Sequence, residues 1–420
     1  MHEFKYIGNN LYCEKIKVQD LAERFGTPLY VYSYHTLISH YLKLKNAFKG
    51  IDALICYSVK ANSNLALLKA LVDKGAGLDI VSGGELSRAL KVGCPPERIV
   101  YASVGKTSGE IEEAIRKGIL FFNVESLPEL ENINEIAKKL DKVTRVAIRI
   151  NPDVEAKTHK FITTGKITNK FGIDLDNAYK ILLLRRNFSN INISGLHIHI
   201  GSQITEGAPF IAAIKKIAEF IGHLGRIGIP LEYLNIGGGL GIIYNRETPQ
   251  TAEIYAKKVL PLLKKTGLKI ILEPGRFIVG NAGILVSKVL YVKSTPKKKF
   301  VIVDAGMNDL IRPALYEAYH NILPLRRAAQ GKEKVDVVGP ICESGDFFAK
   351  ERMIQKAEAG DFLAVMSAGA YGFSMSSNYN SRPRPEEVLV IKDEVFAIRK
   401  RESYEDIVRN EMIPPFLLGL

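Results

Sequence analysis

The chain contains no tryptophan, and its four cysteines, Cys13, Cys56, Cys94 and Cys342, are scattered. None stands in a C-x-x-C pair or beside a pair of histidines. This argues against a zinc site and against a disulfide framework, so reduced thiols and no metal are expected. Long hydrophobic runs are also missing. Each apolar stretch breaks before the ~20 residues that a membrane-spanning helix needs, and Met1-His2-Glu3-Phe4-Lys5 lacks the apolar core of a secretion signal. No membrane association is expected, and a cytoplasmic location is. The last absence is clustered basic charge. The net charge is +13, but Lys and Arg are dispersed among acidic residues without interleaved aromatics. The densest run, Lys297-Lys298-Lys299, follows Pro296 as a solvated turn would. Nucleic acid is therefore not an expected partner, and attraction of acidic small substrates accounts for the sign of the charge equally well.

At 420 residues and 46% hydrophobic content, the chain is too long for one small core and rich enough in apolar residues for two. Apolar strand candidates occur at 54–59, 78–81, 99–103, 119–123, 145–150, 193–200, 232–236 and 269–273. Most intervals between them carry a helical pattern, as in Leu65–Leu71, Glu110–Lys117 and Phe210–Leu224. Strands alternating with helices imply a parallel sheet with right-handed crossovers. Eight such units predict an α/β chain built on a closed (β/α)8 TIM barrel, with a doubly wound open sheet as the competing arrangement. After about residue 280 the alternation stops. Strand-like runs at 284–292, 300–304, 335–338, 361–366, 388–391 and 394–398 predict a mostly β domain, sandwich or barrel. The predicted division is residues 30–280 for the barrel, with 1–29 and 281–420 forming the β domain.

Active-site groups of such a barrel sit at the C-terminal ends of its strands, and six of the eight strand ends carry polar residues or glycine. Lys60 ends the first, and Ser82-Gly83-Gly84-Glu85 follows the second. Arg149-Ile150-Asn151-Pro152 ends the fifth and His197-Ile198-His199-Ile200-Gly201-Ser202 the sixth. Gly237, Gly238 and Gly239 follow the seventh, and Glu273-Pro274-Gly275-Arg276 ends the eighth. A desolvated lysine at a strand tip has a lowered pKa and is a Schiff-base nucleophile, although a lone lysine there is more often salt-bridged. The triple glycine lets backbone N–H groups approach an anion where side chains would obstruct, with a simple tight turn as the alternative. Glu273, buried at the same mouth, needs a partner. A protonated ring nitrogen would supply one, as would an ion pair with Arg276. His197 and His199 are expected to face opposite ways, and only His199 directly precedes Ile200-Gly201-Ser202, a further small-residue anion contact. A reactive lysine, a phosphate cradle, a carboxylate and an aromatic lid together point to pyridoxal 5′-phosphate.

Tyr57-Ser58-Val59-Lys60-Ala61-Asn62, the histidine motif 197–202, Gly237–Gly239, Glu273–Arg276, Arg312–Tyr316, Cys342–Asp346 and Ala368–Gly372 stand in this order. So arranged, they resemble the fold-type III pyridoxal-phosphate-dependent decarboxylases over about residues 25–410. The resemblance implies that Lys60 carries the cofactor and that His199 stacks on its ring. It implies that Ser202, Gly237, Gly238, Gly239, Gly275 and Arg276 hold the phosphate with the Tyr371 hydroxyl, that Glu273 pairs with the ring nitrogen, and that Arg149 lies near the ring oxygen. Arg312 and Tyr316 are i and i+4 on a helix, so both can reach one ligand. In the family they bind the distal carboxylate of the amino-acid substrate together with Arg276, and Tyr371 also lies on the substrate side. Cys342, whose thiol pKa neighbouring carboxylates would raise, is implied to reprotonate the α-carbon, and Glu343 to bind the distal ammonium. The Cys342 loop is placed in the neighbouring subunit's active site, which makes a homodimer the working unit. The implied activity is decarboxylation of meso-2,6-diaminopimelate to L-lysine and CO2, the last step of lysine biosynthesis. Two alternatives remain open. One is an ornithine- or arginine-type decarboxylase, whose substrates lack the distal carboxylate and whose residue after the cysteine is typically Asp. The other is a non-catalytic binder of the same cofactor.

Overall fold

The computed structural model describes residues 2–154, 170–328 and 331–418 and divides into two compact units, Thr36–Gly280 and Met1–His35 with Asn281–Leu420. In the first unit eight strands, Ala53–Ser58, Gly77–Ile80, Ile99–Ala102, Phe121–Val124, Thr144–Ile150, Ile191–Ile198, Tyr233–Asn235 and Lys269–Leu272, form a closed parallel barrel. The eighth returns to the first through Ile270↔Ala53 and Leu272↔Ile55. The arrangement is thus the (β/α)8 barrel and not the open sheet. Strands of such a barrel are covered on both faces, so they read as almost continuous apolar runs. All residues of the second, third and fourth strands are buried.

Local signals set the helices between them. Thr107 and Glu110 form a reciprocal capping box at the start of Ser108–Lys117, whose Ile111, Ala114 and Ile115 are buried. The helix stops at Gly118, where φ is +71°. After the first strand the chain makes a single 3₁₀ turn, Val59–Ala61. The Asn64 side chain then accepts the Ala66 N–H to start helix Leu65–Val72. Lys60 therefore stands on a rigid turn between two regular elements.

The second unit contains a nine-stranded mixed sheet and a three-stranded sheet. Strand Leu29–Ser33 lies inside the larger one, antiparallel to Gly283–Ser294 and parallel to Glu386–Ile391. All five of its residues are buried. Strands Phe4–Ile7, Asn10–Cys13 and Ile16–Lys17 form the smaller sheet, and Phe4, Leu11 and Cys13 pack in one core with Val286, Leu325 and Val388. Strand Phe347–Gln355, which the apolar pattern did not reveal, pairs antiparallel with Lys332–Val338. Its alternation is broken at Glu351, where φ is +48° and the pairing register shifts. The lysines at 297–299 do occupy a turn and the start of the next strand, with Lys298 paired to Asp336 at 2.8 Å and Lys299 to Glu333 at 2.6 Å. No helix of the described residues is long and apolar enough to cross a membrane.

Candidate active site

Glu273 follows the eighth barrel strand and is 3% exposed. Its Oε1 accepts Asn123 Nδ2 at 3.1 Å and Asn235 Nδ2 at 2.5 Å, and its Oε2 lies 3.2 Å from His197 Nε2. Residues of the fourth, sixth and seventh strands thus converge on one carboxylate. Burial alone would raise its pKa, but the interaction with His197 and the charge of Lys60 outweigh burial and hold it well below the usual carboxylate range.

The expectation that His197 and His199 face opposite ways is not met. Residues two apart on a strand share a face, and both histidines stand within electrostatic range of Glu273. His197 is in direct contact with it. His199 sits past the strand end, where its Nδ1 accepts the Gly238 N–H at 3.2 Å. Burial, then the charges of Lys60 and Arg149, push its pKa well below the usual value, so the ring is neutral.

Lys60 Nζ lies 3.5 Å from Asp79 Oδ2, and its side chain is 38% exposed, so the amine is reachable. Asp79 is fully buried and accepts Ser58 Oγ at 2.6 Å. Ser58 Oγ also lies 3.1 Å from the Glu273 carbonyl, which links the first, second and eighth strands. The Asp79 pKa is pushed up to about 6 by burial and by Glu273, against the opposing effect of Lys60.

The glycines are explained sterically. A Cβ on Gly238 would stand 2.0 Å from the Glu273 carbonyl oxygen, one on Gly237 2.4 Å from that of Ile198, and one on Gly239 2.5 Å from that of Gly201. The loops after strands six, seven and eight interlock only because those side chains are absent. A Cβ on Gly275 would stand 3.0 Å from that of Ala61 and 3.1 Å from that of Ser58, and next to it Arg276 opens the helix Arg276–Val279. Arg276 is buried and donates to Ser202 Oγ at 3.0 Å and to the Tyr244 hydroxyl at 2.7 Å. Arg149 forms a buried pair with Glu125 at 2.5 Å. Glu125 N–H in turn donates to Glu129 at 2.8 Å, and Glu129 pairs with the buried Lys106 at 2.5 Å.

In the second unit, Arg312 and Tyr316 bound the short helix Arg312–Tyr316; Arg312 is buried and Tyr316 half-buried. Cys342 is exposed, and its N–H donates to Asn380 Oδ1 at 2.8 Å. Asp346 closes the loop by accepting the Ile341 and Met307 N–H groups at 2.7 Å each. Glu343 is exposed and interacts with the Tyr379 hydroxyl. Tyr371 is half-buried and holds a left-handed backbone, φ +56°.

The family model of the pyridoxal-dependent decarboxylase pyridoxal-binding domain matches residues 34–280. The chain belongs to the pyridoxal-dependent decarboxylase family. Within this family it is 51% identical over 409 residues to a diaminopimelate decarboxylase of Aquifex aeolicus, covering 97% of each chain. It is 48% identical to the one of Haemophilus influenzae, covering 97% of this chain and 98% of that one. The solved structure of diaminopimelate decarboxylase from M. jannaschii in complex with L-lysine superposes with a TM-score of 0.95 at 41% identity, covering 99% of this chain and 100% of the other.

The cofactor of this decarboxylase is pyridoxal 5′-phosphate, and the barrel residues fit it. An ionised carboxylate offers about four acceptor positions, and three donors reach Glu273 here, which leaves capacity for a ring N–H. The Lys60 amine is reachable from the mouth.

Asp79, Asn123 and Asn235 were not singled out by sequence reasoning as part of the site, and His197, named in its motif, was expected to face away from His199. Asp79, Asn123 and Asn235 are each nevertheless the single charged or amide residue of their barrel strand, and a strand covered on both faces has no solvated side on which to place one. That was the available signal.

Proposed function

We propose that this decarboxylase converts meso-2,6-diaminopimelate to L-lysine and CO2 in the cytoplasm, as a homodimer. The observation that carries the reading is Glu273, an ionised carboxylate held by residues of three strands in the same barrel interior as the Lys60–Asp79 pair. The substrate is supported by the diaminopimelate decarboxylases among its relatives, and by the lysine bound in one of them. An ornithine-type activity has no comparable support.

When bound, pyridoxal phosphate supplies an electron sink for the pair left on the α-carbon as CO2 departs. In this reading Lys60 Nζ would hold the cofactor covalently. Glu273 keeps the ring nitrogen protonated, which its low pKa suits, and neutral His199 covers the ring. Ser202, Gly237, Gly238, Gly239, Gly275, Arg276 and Tyr371 hold the phosphate, and Arg149 lies near the ring oxygen. Arg312 and Tyr316, with Arg276 and Tyr371, orient the distal carboxylate; bidentate guanidinium contacts would make that end specific. Glu343 holds the distal ammonium. Cys342 Sγ delivers the proton that replaces CO2, to the site of the neighbouring subunit. The exposed Met412, Ile413, Phe416 and Leu417 favour an assembly over a monomer.

Incubation of the holoenzyme with the meso, LL and DD isomers of diaminopimelate and with L-ornithine, with CO2 measured, tests the reading. Release from the meso isomer alone is expected, and preference for ornithine would overturn it. Lys60→Ala should abolish turnover, and borohydride reduction of the wild type should place the label on Lys60.

A further inference from the structure

Arg312, to which the function above gives the distal carboxylate, is held from behind. The residue is 6% exposed, and its Nη1 lies 2.8 Å from His320 Nε2. On the other side of the same ring, His320 Nδ1 lies 2.8 Å from the Met366 carbonyl oxygen. A guanidinium can only donate and a carbonyl can only accept. His320 must therefore accept at Nε2 and donate at Nδ1, which only the neutral Nδ1–H tautomer does. The ring is fully buried, so no water exchanges with either bond. Its own backbone is anchored as well, because the His320 carbonyl accepts Arg352 Nη1 at 3.0 Å from strand Phe347–Gln355. Met366 directly follows strand Phe362–Val365. The imidazole thus bridges the guanidinium to the Met366 carbonyl, while its own backbone is tied to strand Phe347–Gln355.

We propose that His320 is a positioning residue that sets the specificity of the enzyme for a carboxylate at the substrate end remote from the reacting carbon. A neutral acceptor suits this task. A carboxylate in its place would orient Arg312 but also offset its charge, whereas imidazole orients the guanidinium and leaves that charge for the ligand. The inference rests on the proposed role of Arg312 and adds the residue through which that role is exercised.

The test uses the holoenzyme and two competing ligands. L-Lysine retains the distal carboxylate of diaminopimelate; 1,5-diaminopentane has none. His320→Leu removes both ring bonds. His320→Gln keeps an acceptor within reach of Arg312, and His320→Asn restores only the bond toward Met366. His320→Leu should raise KM for diaminopimelate and Ki for L-lysine about tenfold or more, the scale of one charge-assisted hydrogen bond. Its kcat should change several-fold less, and Ki for 1,5-diaminopentane should stay within about twofold. His320→Gln should recover most of the loss. If His320→Leu does not fold, His320→Asn is read against the same two ligands with the same expectation. An unchanged Ki for L-lysine, or equal weakening of both ligands, overturns the inference and leaves His320 a packing residue. Arg312→Gln separates the two levels. If it raises Ki for L-lysine while the His320 variants do not, the role of His320 alone fails. If Arg312→Gln leaves that Ki unchanged, the reading of Arg312 fails and the inference with it.

Discussion

Asp79 and Glu273 stand in one barrel interior, yet their pKa values are driven in opposite directions. Both are buried, which disfavours charge on each. Glu273 has His197 in contact and stays ionised, while Asp79 feels the charge of Glu273 and its pKa rises to about 6. An unfolded aspartate titrates near ~3.9, so the folded protein holds the extra proton between about pH 4 and 6. The stability this confers is present below that window and falls by roughly 3 kcal/mol as pH rises through it. Denaturant unfolding of cofactor-free wild type and Asp79→Asn at pH 4, 5, 6 and 7 should show the variant gaining relative stability with pH, and parallel curves would contradict the raised pKa. At Glu273 the expectation is kinetic. Glu273→Gln preserves shape and removes charge, so the variant should bind cofactor with near-normal stoichiometry and lose ~100-fold or more in kcat. A kcat near that of the wild type would remove Glu273 from the role proposed for it.

Among the elements, the interlocked loops after strands six, seven and eight decide whether Glu273 is held in place. Gly238 is the sharpest case, since a Cβ there would overlap the Glu273 carbonyl at 2.0 Å. Gly238→Ala should cost about 1–3 kcal/mol or more through forced backbone shifts, lowering Tm and weakening cofactor binding together. Gly109 is the control. It is exposed within helix Ser108–Lys117, with open space where a Cβ would go. Gly109→Ala should therefore stabilise by up to about 1 kcal/mol and leave the cofactor spectrum unchanged. Comparable losses in both variants would mean that the loops tolerate displacement.

For the whole molecule, the proposed sharing of sites between subunits has a counting test. Lys60→Ala and Cys342→Ala should each be inactive as homodimers. Equal mixtures allowed to exchange subunits should recover about a quarter of wild-type activity, because half the dimers are then mixed and each has one intact site. No recovery in exchanged, dimeric samples would place Cys342 in its own subunit's site. Much of the architecture was legible beforehand. Strand–helix alternation located all eight barrel strands, since a sheet covered on both faces writes itself as apolar runs, and Lys60, Glu273 and the triple glycine stood out because they interrupt such runs. Strand Phe347–Gln355 stayed hidden because Glu351 breaks its period. Asp79, Asn123 and Asn235 stayed hidden because a single polar residue in a strand gives no hint of what it faces. The sequence by itself determined the element order, the barrel and the residue types at its mouth, because periodicity and capping are local properties of the chain. Only the tertiary structure decided that donors from the fourth, sixth and seventh strands meet on one carboxylate, with Asn123 and Glu273 lying 150 residues apart. That convergence follows from barrel closure, and no local pattern records it.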